Sequence, residues 1–129
     1  MFVTKRKVRL SETDVTGFIY FTNLFKFATE ALEEFLETKG TNLSKMIQNS
    51  DYLLPIVSAK STYLAPISLS DEITLTLTVV RMGTSSIEIH TDISKGASPI
   101  GKVEIIHVAT SKVTMKKMPI SQELKSYFL

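Results

Sequence analysis

The sequence predicts an α+β domain in which a curved antiparallel sheet of five strands wraps around one long helix. Three observations predict it. Apolar residues recur at helical spacing from Phe21 to Phe35, strict two-residue alternation runs through Ile73–Val79 and a similar alternation, with Thr91 at one inward place, through Ile87–Ile93, and short turns join the later strands. Tight turns impose antiparallel pairing, and so wide an apolar helix face needs a sheet to cover.

The elements follow in order. Phe2 to Leu10 reads as a strand, with Val8 and Leu10 on one side of Arg9. A turn comes next, with Asp14 and Gly17 suited to its first and fourth places. In the helix, Phe21, Leu24, Phe25, Ala28, Ala31, Leu32 and Phe35 form one face, and Lys26, Thr29, Glu30, Glu33, Glu34 and Glu37 the other. Gly40 suits its end. Thr41 to Gln48 fits a short second helix, capped by Thr41 or Asn42, with Leu43, Met46 and Ile47 inward. Strands are then expected over Ile56–Leu64, Asp71–Arg81, about Ile87–Ile93, and Ile100–Met115, the last buried on both faces. Lys95 to Pro99 reads as a loose turn, and Ile120 to Leu129 as a short tail.

Bulk composition narrows the functions. A chain of 129 residues with 43% hydrophobic and 22% charged residues makes one folded domain, residues 1–129. Fifteen basic against thirteen acidic residues give a net charge of +2, which does not indicate a nucleic-acid partner. With no cysteine there is no disulfide or thiolate chemistry, and a reducing, cytoplasmic location is expected. The charges of Lys5, Arg6 and Lys7 follow the apolar Phe2 and Val3, so the N-terminus does not read as a signal peptide. No apolar run reaches the roughly 18 residues of a transmembrane helix.

The chemistry concentrates at Asp14. An acid just ahead of a helix lies beside free backbone N–H groups and the positive end of the helix dipole, a place that holds a developing oxyanion near a carboxylate. The same residue also suits a purely local role in shaping the turn or capping the helix. The two histidines, His90 on a polar strand face and His107 among apolar neighbours, make no metal site.

The stretch from Asp14 through Gly17, Tyr20 and Phe21 to Asn23 resembles the signature of the hotdog-fold acyl-CoA thioesterases of the 4-hydroxybenzoyl-CoA thioesterase type. Weaker matches follow in order: Tyr63 to Ile67 with Asp71, Gly83 to Ser86, Val108 to Lys117, then Met118-Pro119 and Glu123-Leu124. The likeness spans nearly the whole chain. It implies a hotdog fold, and hydrolysis of an acyl-CoA to free acid and CoA without metal or cofactor. It also implies a homodimer, or a dimer-of-dimers tetramer, with the active site at the subunit interface. The acyl group is expected to be aromatic or a medium-to-long aliphatic chain; 1,4-dihydroxy-2-naphthoyl-CoA is one such substrate, its hydrolases sharing the signature.

By the same resemblance Asp14 is the catalytic carboxylate, acting as nucleophile or as general base on water. Phe21 lends the backbone N–H that polarises the thioester carbonyl, and Gly17 lets the acyl group approach the turn. Tyr20, Asn23 and Tyr63 are substrate-side candidates, and Ser85, Ser86, Lys116 and Lys117 (with Arg81) are candidates for the CoA phosphates. Three departures stand out: Glu12 replaces a frequent Asp, Phe21 replaces a His of some bacterial members, and Thr29 takes a place that several relatives give to Glu. Glu30 beside it reads as a solvated charge. Rival readings are a non-catalytic acyl-thioester binder on the same fold, and a thioesterase acting on acyl carrier protein. A hydratase is disfavoured because Ile19 stands where hydratases of this fold place a His.

Overall fold

The computed structural model describes residues 1–129. Five strands form one antiparallel sheet: β1 (Phe2–Lys7), β3 (Ile56–Tyr63), β4 (Glu72–Met82), β5 (Ser86–Lys95) and β6 (Ser98–Val108), in the order β1-β4-β5-β6-β3. Two short strands, β2 (Tyr52–Leu53) and β7 (Thr110–Ser111), pair separately. The long helix α1 (Asn23–Thr38) packs across one face, and α2 (Leu43–Gln48) and α3 (Gln122–Phe128) complete the chain. This is the expected five-stranded hotdog arrangement.

Sheet and helix share one core. Ile73, Leu75, Leu77, Ile87, Ile89, Ile93 and Val103 point inward from the strands to meet Leu24, Phe27, Ala28, Ala31, Leu32, Phe35 and Leu36 of α1. The intervening strand positions face out and are polar, with His90 bonded to Glu88 at 2.9 Å. His107 is buried, and its Nδ1 donates to the Leu54 carbonyl at 3.0 Å.

Several expectations change in detail. The first strand stops at Lys7; Leu10 opens a 3-10 turn (Leu10–Glu12) and is exposed, because Glu12, not Leu10, turns inward. The buried face of α1 is rotated from the expected one. Phe27 and Leu36 lie at its centre, Phe25 is only half-buried, and Phe21 precedes the helix with its side chain 61% exposed. Lys95 to Pro99 is a tight hairpin, not a loose turn, since Gly96 at φ +59° lets the chain reverse directly into β6. The last strand ends at Val108 and its outer face is only half-covered. The tail is helical: Ser121 Oγ accepts the Leu124 N–H at 3.1 Å, and Leu124 and Phe128 bury one side. The second helix forms as expected, with Asn42 as its cap.

No helix is long and apolar enough to cross a membrane.

Candidate active site

Residues 12–23 form a folded-back loop between β1 and α1. Gly17 N–H donates to the Asp14 carbonyl at 3.1 Å, closing the turn whose first and fourth places these residues take, and Gly17 has φ +83°. A short ladder continues from it. Asp14 N–H donates to Phe18 O at 3.0 Å, Thr13 bridges Ile19, and Tyr20 N–H donates to Glu12 O at 2.8 Å. The loop is pinned to the connection between β3 and β4 by Ile19 N–H on Ile67 O at 2.8 Å and by a Phe18–Ser68 bridge.

Asp14 is exposed, and its two oxygens differ. Oδ1 accepts both the Thr16 N–H at 2.8 Å and the Thr16 hydroxyl at 2.5 Å. Oδ2 takes part in no hydrogen bond within the chain. The hydroxyl and then the amide of Thr16 hold the Asp14 carboxyl below the usual carboxylate range, against a small opposing effect of desolvation. Asp14 is therefore an ionised, surface-facing carboxylate with one free oxygen.

Phe21 lies ahead of the first turn of α1, and its backbone N–H donates to no group of the chain. Its ring tilts against Tyr20 with centroids 4.9 Å apart, and both side chains are largely exposed. Thr16, Phe18, Ile19 and Phe21 wall a hollow of about 490 Å³, with Tyr63, Leu64, Pro66 and Ile67 on the opposite side. So apolar a surface open to solvent marks a place where something binds.

Glu12 carries most of the local electrostatics. Its side chain is 1% exposed and ionised. Arg6 grips both oxygens at 2.6 and 2.7 Å, Lys26 Nζ binds Oε2 at 2.8 Å, and the Arg9 N–H donates to Oε1 at 2.8 Å. Burial pushes the Glu12 pKa up, but the bonds from Lys26, Arg9 and Arg6 outweigh it and leave the pKa below the ordinary value. Glu30 is not a free helix-face charge: it accepts from Arg6 at 2.5 Å. A hollow of about 1200 Å³ between β1 and α1 is lined in part by Arg6, Lys26 and Glu30 of this network. Lys5, Lys7, Arg9, Glu33, Glu34 and Glu37 also line it without ion-pair partners, and Asp14 is not part of it.

The sequence-predicted residues fall into two groups. Asp14, Gly17, Tyr20, Phe21, Asn23 and Tyr63 gather at one end of the sheet, where the Asn23 side chain donates to Glu12 O at 2.7 Å. Ser85, Ser86, Lys116 and Lys117 sit at the other end, beside Val108 and Thr110. Gly101 pairs with Tyr63 and Val108 with Ser86, so the rise along β6 separates the two groups by about 23 Å. One chain does not join them. The residues that sequence reasoning passed over are Thr16, Arg6 and Lys26. Thr16 was detectable, since Asp-x-Thr is a pattern in which the hydroxyl folds back on the acid; Arg6 and Lys26 depend on tertiary packing. Nowhere do three or more His, Asp or Glu side chains gather as a metal ion would need.

Comparison with known proteins identifies the family and the fold. A sequence model of the thioesterase-like superfamily matches residues 8–128. The chain is similar to a 1,4-dihydroxy-2-naphthoyl-CoA hydrolase of Rippkaea orientalis, 33% identical over 125 residues that cover 95% of this chain and 91% of the relative. It is also similar to one of Prochlorococcus marinus, at 31% identity over 93% of this chain and 82% of the relative. Among solved structures, a 1,4-dihydroxy-2-naphthoyl-CoA thioesterase of Synechocystis superposes with a TM-score of 0.91 at 26% identity, over 98% of this chain and 94% of that one.

Proposed function

The chain belongs to the thioesterase-like superfamily and is a CoA-thioester hydrolase, and we propose that it cleaves an aromatic acyl-CoA of the 1,4-dihydroxy-2-naphthoyl class by means of Asp14 and the Phe21 amide. The observation that carries the catalytic reading is the unengaged Oδ2 of an ionised Asp14 whose bonding partner, Thr16, walls the same apolar hollow as Phe21.

Oδ2 attacks the thioester carbon, or takes a proton from the water that does. In either route negative charge moves onto the former carbonyl oxygen, and a helix-proximal N–H without an intramolecular partner is the donor that stabilises it. The C–S bond then breaks and CoA leaves as thiolate, which needs little help from a general acid. When Oδ2 is the nucleophile, the product is a mixed anhydride of Asp14 that water opens to release the acid and restore the carboxylate. No metal or cofactor enters these steps. Phe18, Phe21 and Tyr63 line the hollow, and aromatic side chains suit a flat bicyclic acyl group.

The homodimer belongs to the same proposal. Strand β3 is a sheet edge, and Ile56 and Val57 on it are exposed. Antiparallel pairing of β3 with its copy brings the Ile56 end of one chain beside the Tyr63 end of the other. The second copy's Ser85, Ser86, Lys116 and Lys117 then approach the Asp14 loop, where hydroxyls and ammonium groups suit CoA phosphates. A cytoplasmic location fits a chain without cysteine.

The test is thiol release over a panel of aromatic and aliphatic acyl-CoAs and acyl-carrier-protein thioesters, a measurement free of protein background because the chain has no thiol. The expected result is fastest turnover of 1,4-dihydroxy-2-naphthoyl-CoA, and a loss of roughly three orders of magnitude or more in Asp14→Asn. Undiminished turnover by Asp14→Asn rejects the catalytic assignment, and preference for a long aliphatic chain rejects the substrate class.

A further inference from the structure

Glu12 plays two parts at once. Its carboxylate is fixed from three directions by Arg6 of β1, Lys26 of α1 and the Arg9 N–H. Its backbone carbonyl accepts two further bonds, from the Tyr20 N–H at 2.8 Å and from Asn23 Nδ2 at 2.7 Å. The side chain therefore anchors the start of the folded-back loop to strand and helix, while the main chain of the same residue anchors its end. Between these anchors lie Asp14 and the free Oδ2. Immediately after Tyr20 comes Phe21 with its unpaired N–H.

We propose that Glu12 is the positioning residue of this active site, setting the separation between the Asp14 carboxylate and the Phe21 amide by gripping both ends of the loop that carries them. The inference rests on the assignment of Asp14 and Phe21 made above. The physical reason is geometric. Exposed loops are mobile by default, and the rate of attack depends steeply on the placement of the reacting atoms. Asp14 has only Thr16 to orient its side chain, so the loop's backbone must supply the rest. A buried carboxylate held by two cations and an amide is a stiff anchor, because any displacement strands charge away from water. Arg6 also lies over the Phe27 ring, 4.4 Å from its centroid, and accepts no freedom from the Glu30 side, where it is bonded as well.

The role predicts a loss that appears in kcat and not in KM, because acyl-CoA binding draws on surfaces that Glu12 does not touch. The experiment compares wild type, Glu12→Gln, Glu12→Asp, Asn23→Ala, the Glu12→Gln/Asn23→Ala double variant and Asp14→Asn, each on the best CoA thioester of the panel. The expected kcat of Glu12→Gln is about 10- to 100-fold below wild type with KM within about threefold. Glu12→Asp is expected to recover most of the loss. The double variant should be no slower than the slower single variant, since both changes release one loop.

Wild-type kcat in Glu12→Gln beside a dead Asp14→Asn overturns the positioning role and leaves the catalytic assignment standing. Losses that multiply in the double variant overturn it as well, and so does a fall in melting temperature with kcat of the folded protein unchanged. An active Asp14→Asn, or a wild type inert on the whole panel, overturns the underlying assignment. Should Glu12→Gln not fold, Lys26→Met takes its place; Lys26 is half-exposed and leaves Arg6 on the carboxylate. A folded Lys26→Met with several-fold lower kcat supports the role, and one with wild-type kcat overturns it.

Discussion

The Thr16 hydroxyl and amide both donate to Oδ1 of Asp14, at 2.5 and 2.8 Å, so a single residue two places along the turn decides which oxygen of the carboxylate is free. These bonds favour the charged form and lower the Asp14 pKa. The acid limb of kcat/KM should therefore lie below the ordinary Asp value of about 3.9. Removing the hydroxyl in Thr16→Val raises the pKa toward that value and moves the limb to higher pH. A pH–rate profile of both proteins checks this, and an unmoved limb would show that Thr16 does not tune the reacting group.

Stability should respond to acid through Glu12 and Asp71. Both have folded-state pKa values below their ordinary ones. For Asp71 the causes are Lys95, at 2.7 Å from Oδ1, and then the Ser68 N–H, at 2.8 Å from Oδ2. A depressed carboxylate contributes stability that is fully present above its unfolded pKa, about 4.3 for Glu and 3.9 for Asp, and lost as pH falls through the folded value. Urea midpoints should hold between pH 7 and about 5 as far as these groups are concerned, and fall below about pH 4. Lys95→Met should flatten part of that fall. A midpoint that rises on acidification would contradict the sign.

Local chemistry was legible in the sequence and tertiary choice was not. The Asp14–Gly17 turn could be read because its requirements lie within four residues, an oxygen acceptor at one end and a left-handed glycine at the other. The phase of α1 could not be fixed as well. Phe21, Phe25, Phe27 and Leu36 are compatible with two overlapping apolar stripes, and the sheet selected the one centred on Phe27 and Leu36. The helix at the C-terminus escaped because it is only seven residues long and its apolar signal is confined to Leu124, Tyr127 and Phe128. The separation of Asp14 from Lys116 and Lys117 was illegible in principle, since nothing within one strand states how far apart its two ends lie from a site.

Edge pairing of β3 gives the next prediction. Placing charge at both apolar edge positions, Ile56→Lys with Val57→Lys, opposes strand addition, because the ammonium groups would be desolvated against a second copy. These side chains are already exposed, so the fold of the single chain should be kept. Sedimentation should then report a smaller species than wild type, and turnover should drop at least about tenfold through a raised KM as the CoA-facing groups of the second copy are lost. Wild-type size with wild-type KM would move the interface away from β3.

Gly101 offers a test of how the sheet sets the start of α1. It faces inward on β6, paired with Tyr63 on one side and Ile93 on the other. A methyl group there would stand 3.2 Å from Leu24 Cδ1 and 3.5 Å from the Thr62 carbonyl. The leucine tip can yield by a few tenths of an ångström, so Gly101→Ala should fold with a modest loss of stability, about 1 kcal/mol. In Gly101→Val two further methyl carbons are added beside a fully buried Leu24, and overpacking of this kind costs about 1–3 kcal/mol. The relief available is to lift the first turn of α1 from the sheet, which carries Asn23 and the Phe21 amide with it. Gly101→Val should therefore lose kcat more steeply than Gly101→Ala, while Leu24→Ala on the same background should return part of the activity by opening room. Denaturation midpoints and kcat measured together distinguish this from a general weakening. If Leu24→Ala lowers kcat further in the Gly101→Val protein, the close approach of β6 and α1 does not control the position of the Phe21 amide.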